Sequence, residues 1–247
     1  MRAVTGQGLR VEALGVAGAP APQRLTTTFR LSGGIVVDSG AAPHGIPVAE
    51  RKEIAHLLLT HAHLDHTLGL PFLLGETRPT VRGLKQTLDA VRSHLLDGHI
   101  WPDLSDLATW EEVTPGDAFP LGPWEVEVGP ANHTVPCVSY LFRATAYSIA
   151  ILGDTRYDAS VADWVAERSP SACVVEVSYA DEVAAMARRF GHQTARDLKR
   201  WRSRIGRRCE IHVTHMKPSH EERIAAECAA LKDPRLHLPK DGDVLHS

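Results

Sequence analysis

The segment Thr60-His61-Ala62-His63-Leu64-Asp65-His66 packs four potential metal ligands into six residues. Imidazole nitrogens and carboxylate oxygens bind zinc-like ions at about 2.0–2.2 Å. His61 and His63 stand two apart, so both can reach one ion from an extended turn. Asp65 and His66 lie further along the bend and can turn toward a second ion. Further candidates sit after later apolar runs: His133, Asp154 and His215. Asp154 suits a bridging position, because a carboxylate has two oxygens and can give one to each ion. A lone histidine is more often a surface or capping residue, but this set together points to a two-metal hydrolase site. Two cations about 3.5–4 Å apart can bind phosphoryl oxygens, neutralise the charge that builds there, and lower the pKa of a water between them toward about 7. The resulting metal-bridging hydroxide can attack phosphorus in line. Asp65 is expected to orient this water or accept its proton.

Such residues need rigid elements behind them. Several apolar runs end at a polar or histidine-bearing loop. Gly34–Val37 ends at Asp38-Ser39-Gly40, and Ile54–Leu59 ends at Thr60-His61. Trp124–Val128 alternates with period 2, as a half-buried strand does, and leads to Asn132-His133. Ser148–Leu152 ends at Gly153-Asp154, Cys173–Val175 at Glu176, and Glu210–Thr214 at His215. A first strand is expected at Leu9–Leu14, and closing strands at Arg235–Leu238 and Asp243–Leu245. Gly15–Pro22 reads as a loop. Helical stripes fall between: Leu84, Leu88, Val91 and Leu95; Val161, Trp164 and Val165; Val183, Met186 and Phe190; and Ala195, Leu198, Trp201 and Ile205. Ser219-His220-Glu221-Glu222 has the form of a capping box opening a last helix. Strands first, then strands mixed with helices, suggest layered sheets covered by helices.

The chain has 247 residues, read as one domain over 1–247. Hydrophobic residues make up 43% and charged residues 23%, as in an ordinary globular protein. A formal net charge of -3 argues against an extensive nucleic-acid surface. No run is long enough to span a bilayer, and Met1–Gly6 has no signal-type apolar core, so a cytoplasmic location is expected and no membrane partner. Cys137, Cys173, Cys209 and Cys228 are far apart and form no CxxC pair, so reduced buried thiols are expected.

The ligand pattern resembles the metallo-β-lactamase superfamily. That resemblance implies an α/β, four-layer αβ/βα sandwich with a two-metal site along one edge. It also implies that His61, His63 and His133 hold one metal, that Asp65, His66 and His215 hold the other, and that Asp154 bridges them. A narrower resemblance is to class II 3',5'-cyclic-nucleotide phosphodiesterases, carried by Thr60–His66 and its continuation Thr67-Leu68-Gly69-Leu70-Pro71. Gly98–Asp103, Asn132–Pro136, Val175–Tyr179, Gly191–Thr194 and Thr214–Pro218 are similar to that family too. The chain departs from the family pattern at Leu73-Leu74-Gly75-Glu76, where a serine and a small residue are usual. By likeness to ribonuclease Z, His192 in its H-x-T element would protonate the leaving oxygen. Glu176 would hold His192 and raise its protonated fraction near neutral pH.

The resemblance implies hydrolysis of cAMP or cGMP to the nucleoside 5'-monophosphate, and a homodimer, to which the Trp101 segment could contribute. A ribonuclease Z-like tRNA 3' endonuclease or a broad-specificity phosphodiesterase are the alternatives. A non-enzymatic binding module fits poorly with a complete ligand set. Two divalent ions are expected, zinc first, with manganese and iron suited to the same donors. Asp38, Thr60 and Asn132 flank the ligands and are candidates to orient them.

Overall fold

In the computed structural model the described residues are 8–247, so the Met1–Gly6 segment lies outside them. The first half runs β1 (Val11–Gly15), β2 (Thr28–Leu31), β3 (Ile35–Val37), α1 (Ala42–Gly45), α2 (Val48–Arg51), β4 (His56–Leu58), α3 (Leu64–Thr67), α4 (Leu70–Leu74), β5 (Thr80–Gly83), α5 (Lys85–His94) and β6 (Thr109–Glu112). The second half runs β7 (Ala118–Leu121), β8 (Trp124–Pro130), β9 (Val138–Arg143), β10 (Ser148–Ile151), α6 (Ala159–Arg168), β11 (Ala172–Glu176), α7 (Ala184–Arg189), α8 (Leu198–Ile205), β12 (Glu210–Thr214), α9 (Glu221–Ala230), β13 (Leu236–His237) and β14 (Asp243–His246).

The strands form two sheets, ordered β14-β1-β2-β3-β4-β5-β6 and β13-β12-β11-β10-β9-β8-β7. Within the first, β3, β4, β5 and β6 run parallel. Within the second, β10, β11, β12 and β13 run parallel. Strand alternation sorts the side chains into layers. Phe29, Val37 and Leu58 meet Trp124, Val126, Tyr140 and Val174 between the sheets. Cys173, Val175, Ile211 and Val213 point the other way and pack under α6, α8 and α9 with Trp201 and Ile224. Val36, Leu57, Leu59 and Val81 form the equivalent outer layer with Leu70, Leu73, Leu88 and Val91 of α4 and α5. This is the αβ/βα sandwich.

Two hydrogen bonds pin the sheets together beside the ends of β4 and β9. Tyr140 Oη donates to the Leu59 carbonyl at 2.9 Å, and the Val138 N–H donates to the Thr60 carbonyl at 3.0 Å. Both fix the chain immediately before His61. The cysteines are free and buried. No helix among the described residues is long and apolar enough to cross a membrane.

Two expectations change. Ser219 does not cap the last helix: Pro218–His220 forms a 3-10 turn, and α9 begins at Glu221 with His220 before it and no side-chain cap. A capping box forms instead between Thr194 and Asp197. The Val183, Met186, Phe190 stripe is not the packed face of α7: Met186 and Phe190 are 46% and 47% exposed, and Ala184 and Ala187 are buried in their place.

Candidate metal centre

The site lies where strands from both sheets end. His61 follows β4, His133 follows β8, Asp154 follows β10 and His215 follows β12. His63 caps α3, whose single turn carries Asp65 and His66. Ligand-capable atoms of His61, His63, His133 and Asp154 all lie within 4.8 Å of one another, as do those of Asp65, His66 and His215. Asp154 faces both sets. Its Oδ1 is 3.3 Å from His66 Nε2, while its Oδ2 is 3.7 Å from His61 Nε2 and 3.8 Å from His133 Nε2. His215 Nε2 stands 3.3 Å from Asp154 and 3.2 Å from Asp65.

The donor set fits cations. His61 Nε2, His66 Nε2 and Asp154 Oδ2 are buried and have no hydrogen-bond partner, whereas nearly all buried polar atoms are paired. Their surroundings assign the ring tautomers. The Thr60 N–H and Oγ1–H both donate to Asp38, each at 2.8 Å. With its proton committed, Thr60 Oγ1 accepts from His61 Nδ1 at 3.0 Å. His66 Nδ1 donates to Asp38 Oδ2 at 2.7 Å, and His133 Nδ1 to the Gly191 carbonyl at 3.1 Å. Ser178 Oγ donates to Glu176 at 2.8 Å and so accepts from His215 Nδ1 at 2.8 Å. With each Nδ1 engaged, each of these rings turns its Nε2 toward the centre. His63 differs: its Nδ1 faces inward, 3.1 Å from His133 Nε2.

Burial lowers His61 well below the ordinary imidazole value and brings His133 to about 4, so both rings stay neutral. Burial also opposes charge on His66, but Asp154 and Asp38 outweigh it and raise that ring. Burial would raise Asp154; His215, His66 and His61 hold it well below the usual carboxylate range. Asp65 is likewise held low, against burial, by its bond to His215. Carboxylates thus remain ionised; His61 and His133 turn inward lone pairs on them, and His66 holds a proton that a bound cation would displace.

The backbone is contorted to achieve this. Asp38 and His215 have φ of 55° and 63°, a left-handed region that costs most residues energy and is often found at functional sites. Gly191 has φ of 76°, and a Cβ there would lie 2.7 Å from His133 Nδ1. Only glycine leaves room for that ring's bond to the Gly191 carbonyl.

His192 and Glu176 do meet. His192 Nδ1 is 3.1 Å from Glu176 Oε1. Burial lowers His192 and raises Glu176, with Asp154 adding to the rise. In the field of the protein alone, burial thus favours a neutral ring beside a neutral carboxyl, contrary to the raised protonated fraction expected of His192 from the sequence. Cations beside Asp154 would offset the second cause and favour a Glu176 carboxylate. Asp154, His192 and His215 also form a ligand-capable group.

Asp38 and Thr60 occupy the orienting positions expected of them. Asn132 does not: it donates to Asp158 at 2.6 Å and accepts from Arg156 at 3.0 Å, bracing the loop rather than a ligand. Trp101 packs its ring 4.8 Å from that of Phe72. Sequence reasoning passed over Gln193, which donates to the Glu176 carbonyl at 2.8 Å and accepts from Trp201 at 2.8 Å. It also passed over Ser178 and Lys217, whose Nζ bonds the Gly18 carbonyl and stands 3.7 Å from Asp65.

The chain belongs to the beta-lactamase superfamily: residues 34–238 match its domain model. It is 26% identical over 207 residues to a probable 3',5'-cyclic-nucleotide phosphodiesterase of Yersinia pestis, covering 70% of this chain and 60% of that one. It is 31% identical over 169 residues to ribonuclease J of Mycolicibacterium smegmatis, covering 61% of this chain and 29% of that one. The chain thus spans less than two thirds of either relative's length, and under a third of the second. The metallo-beta-lactamase fold protein YhfI of Bacillus subtilis superposes with a TM-score of 0.77 at 17% identity, over 97% of this chain and 100% of that one.

Proposed function

We propose that the protein is a dinuclear metal-dependent phosphodiesterase that hydrolyses 3',5'-cyclic nucleotides to nucleoside 5'-monophosphates. The observation that carries this is the gathering of His61, His63 and His133 with Asp154, and of Asp65, His66 and His215 beside it, with His61 Nε2, His66 Nε2 and Asp154 Oδ2 buried and unpaired. His61, His63 and His133 are the proposed ligands of one ion, Asp65, His66 and His215 of the other, and Asp154 bridges. The donors are nitrogen and oxygen without thiolate, which suits zinc first. When bound, two such cations neutralise the phosphoryl oxygens and acidify a nucleophilic water. Asp65, kept ionised, orients that water. Glu176 engages His192 Nδ1, which leaves Nε2 to protonate the departing oxygen. That engagement favours the donor role for His192 over a ligand role. The Yersinia relative and the Gly69-Leu70-Pro71 continuation support the cyclic-nucleotide substrate.

The ribonuclease J relative favours a second reading, cleavage of RNA. Zinc-loaded and manganese-loaded protein incubated with cAMP, cGMP, bis(p-nitrophenyl) phosphate, a precursor tRNA and a linear RNA separates these. The leading reading expects turnover of cAMP or cGMP; RNA cleavage without it would replace that reading. His192→Ala is expected to lower kcat by about 10²–10⁴-fold with metal content unchanged by elemental analysis. Full turnover in that variant would remove the donor role.

A further inference from the structure

A row of rings runs outward from the centre. His215, 1% exposed, stacks on His192, 6% exposed, at 5.3 Å. Tyr179 follows, 5.8 Å from His192, and then His220, 5.4 Å from Tyr179 in an edge-on arrangement. Tyr179 and His220 are only half-buried, so the row leads from a proposed ligand to the surface. Neither has a role in ligation or proton transfer.

Both are held by backbone. Tyr179 lies just beyond β11 and pairs in a β-bridge with Thr194, in the loop that carries His192. His220 immediately precedes α9. The edge-on contact between the two rings limits how the phenol ring can turn. The platform is therefore fixed to the same segments as the proposed proton donor.

We propose that Tyr179, backed by His220, is the stacking surface for the nucleobase of the substrate. This rests on the phosphodiesterase reading and names the recognition element within it. A cyclic nucleotide whose 3' oxygen meets His192 carries its phosphate toward the ligand cluster, and its base must leave by the other side. An aromatic face beside His192 receives it. Stacking tolerates any base, since each has a π face. Weak discrimination between cAMP and cGMP follows.

The test compares wild type, Tyr179→Leu and Tyr179→Phe on cAMP and on a base-free probe, 1-deoxyribose 3',5'-cyclic phosphate. The expected result is that the ratio of KM for the base-free probe to KM for cAMP falls about tenfold in Tyr179→Leu, equivalent to about 1.4 kcal/mol, and recovers in Tyr179→Phe. An unchanged ratio overturns the proposal, even if both KM values rise together. Calorimetric binding of 5'-AMP to the metal-loaded proteins is the independent arm. If wild type turns over no cyclic nucleotide, the phosphodiesterase reading has failed, and the base surface is then judged by whether 5'-AMP binds about tenfold more weakly to Tyr179→Leu. Equal binding, or none to wild type, overturns it.

Discussion

Both oxygens of Asp38 accept hydrogen bonds, from the Thr60 N–H, the Thr60 hydroxyl and His66 Nδ1. Asparagine has nearly the same shape but must turn a donor toward one of those donors. Asp38→Asn is therefore expected to release the His66 and His61 tautomers and weaken metal affinity by roughly 10–100-fold. Competition with a chelating dye would measure this, and an unaltered affinity would show that the Asp38 bonds do not tune the ligands. A second residue carries a pH prediction away from the centre. His212, on β12, is 8% exposed, its Nδ1 has no partner, and burial, with His237 adding to it, lowers it to about 4 against the pull of Glu210. The unfolded chain takes up this proton near pH 6.5, well before the folded one does. Stability therefore rises with pH across that window and is lost as pH falls from about 6.5 to about 4, by of order 3 kcal/mol. His212→Leu should flatten that part of the acid limb in urea titrations. A slope equal to wild type would mean the ring is protonated in the fold.

Short elements do most of the positioning, and their lengths explain what could be read in advance. The alternation in Trp124–Val128 and in Glu210–Thr214 announces β8 and β12, because each shows a clear pattern over five residues. β9 carries no such pattern: Val138 to Phe142 are all buried, so both faces are covered and period 2 vanishes. β5 and β6 mix Thr80, Arg82, Thr109 and Glu111 with apolar residues toward one end of the sheet. α1 to α4 have four or five residues each, too few to show a helical period. The proposed ligands were legible because histidine and aspartate are chemically distinctive and sit at strand ends. Gln193, Ser178 and Gly191 were not, because each acts through a contact that only the fold creates: Gln193 with the Glu176 carbonyl, Ser178 with His215 and Gly191 with His133. Gly191 tests this directly. Alanine there must adopt φ of 76° and place its Cβ 2.7 Å from His133 Nδ1 and 2.9 Å from the Thr134 N–H. The backbone cost alone is about 1–2 kcal/mol. Gly191→Ala is expected to displace His133 and lower metal stoichiometry in elemental analysis even where the chain remains folded. A fully loaded variant would mean the loop relaxes without disturbing the ring.

At the scale of the whole molecule, the centre joins the two sheets. His61, His63, Asp65 and His66 follow β4 of the first, whereas His133, Asp154 and His215 follow β8, β10 and β12 of the second. Each proposed ligand set draws on both. A bound ion therefore ties the halves of the sandwich at the edge where, without it, buried lone pairs face a buried carboxylate. Binding to the folded state alone stabilises by about 2.7 kcal/mol when free metal is 100 times its dissociation constant. For a chain of this size each kcal/mol raises Tm by about 2–4 °C, so each ion should add roughly 5–10 °C. Chelation of both ions should lower Tm by roughly twice that, about 10–20 °C, and readdition of zinc should restore it. The geometry adds a sharper expectation. His63→Ala on the first sheet and His133→Ala on the second should each abolish most of the gain from one ion, because either loss cuts the same tie. If metal raised Tm equally in both variants and in wild type, the ions would not be bound between the sheets. A gain lost in only one of them would assign the ion to that sheet alone.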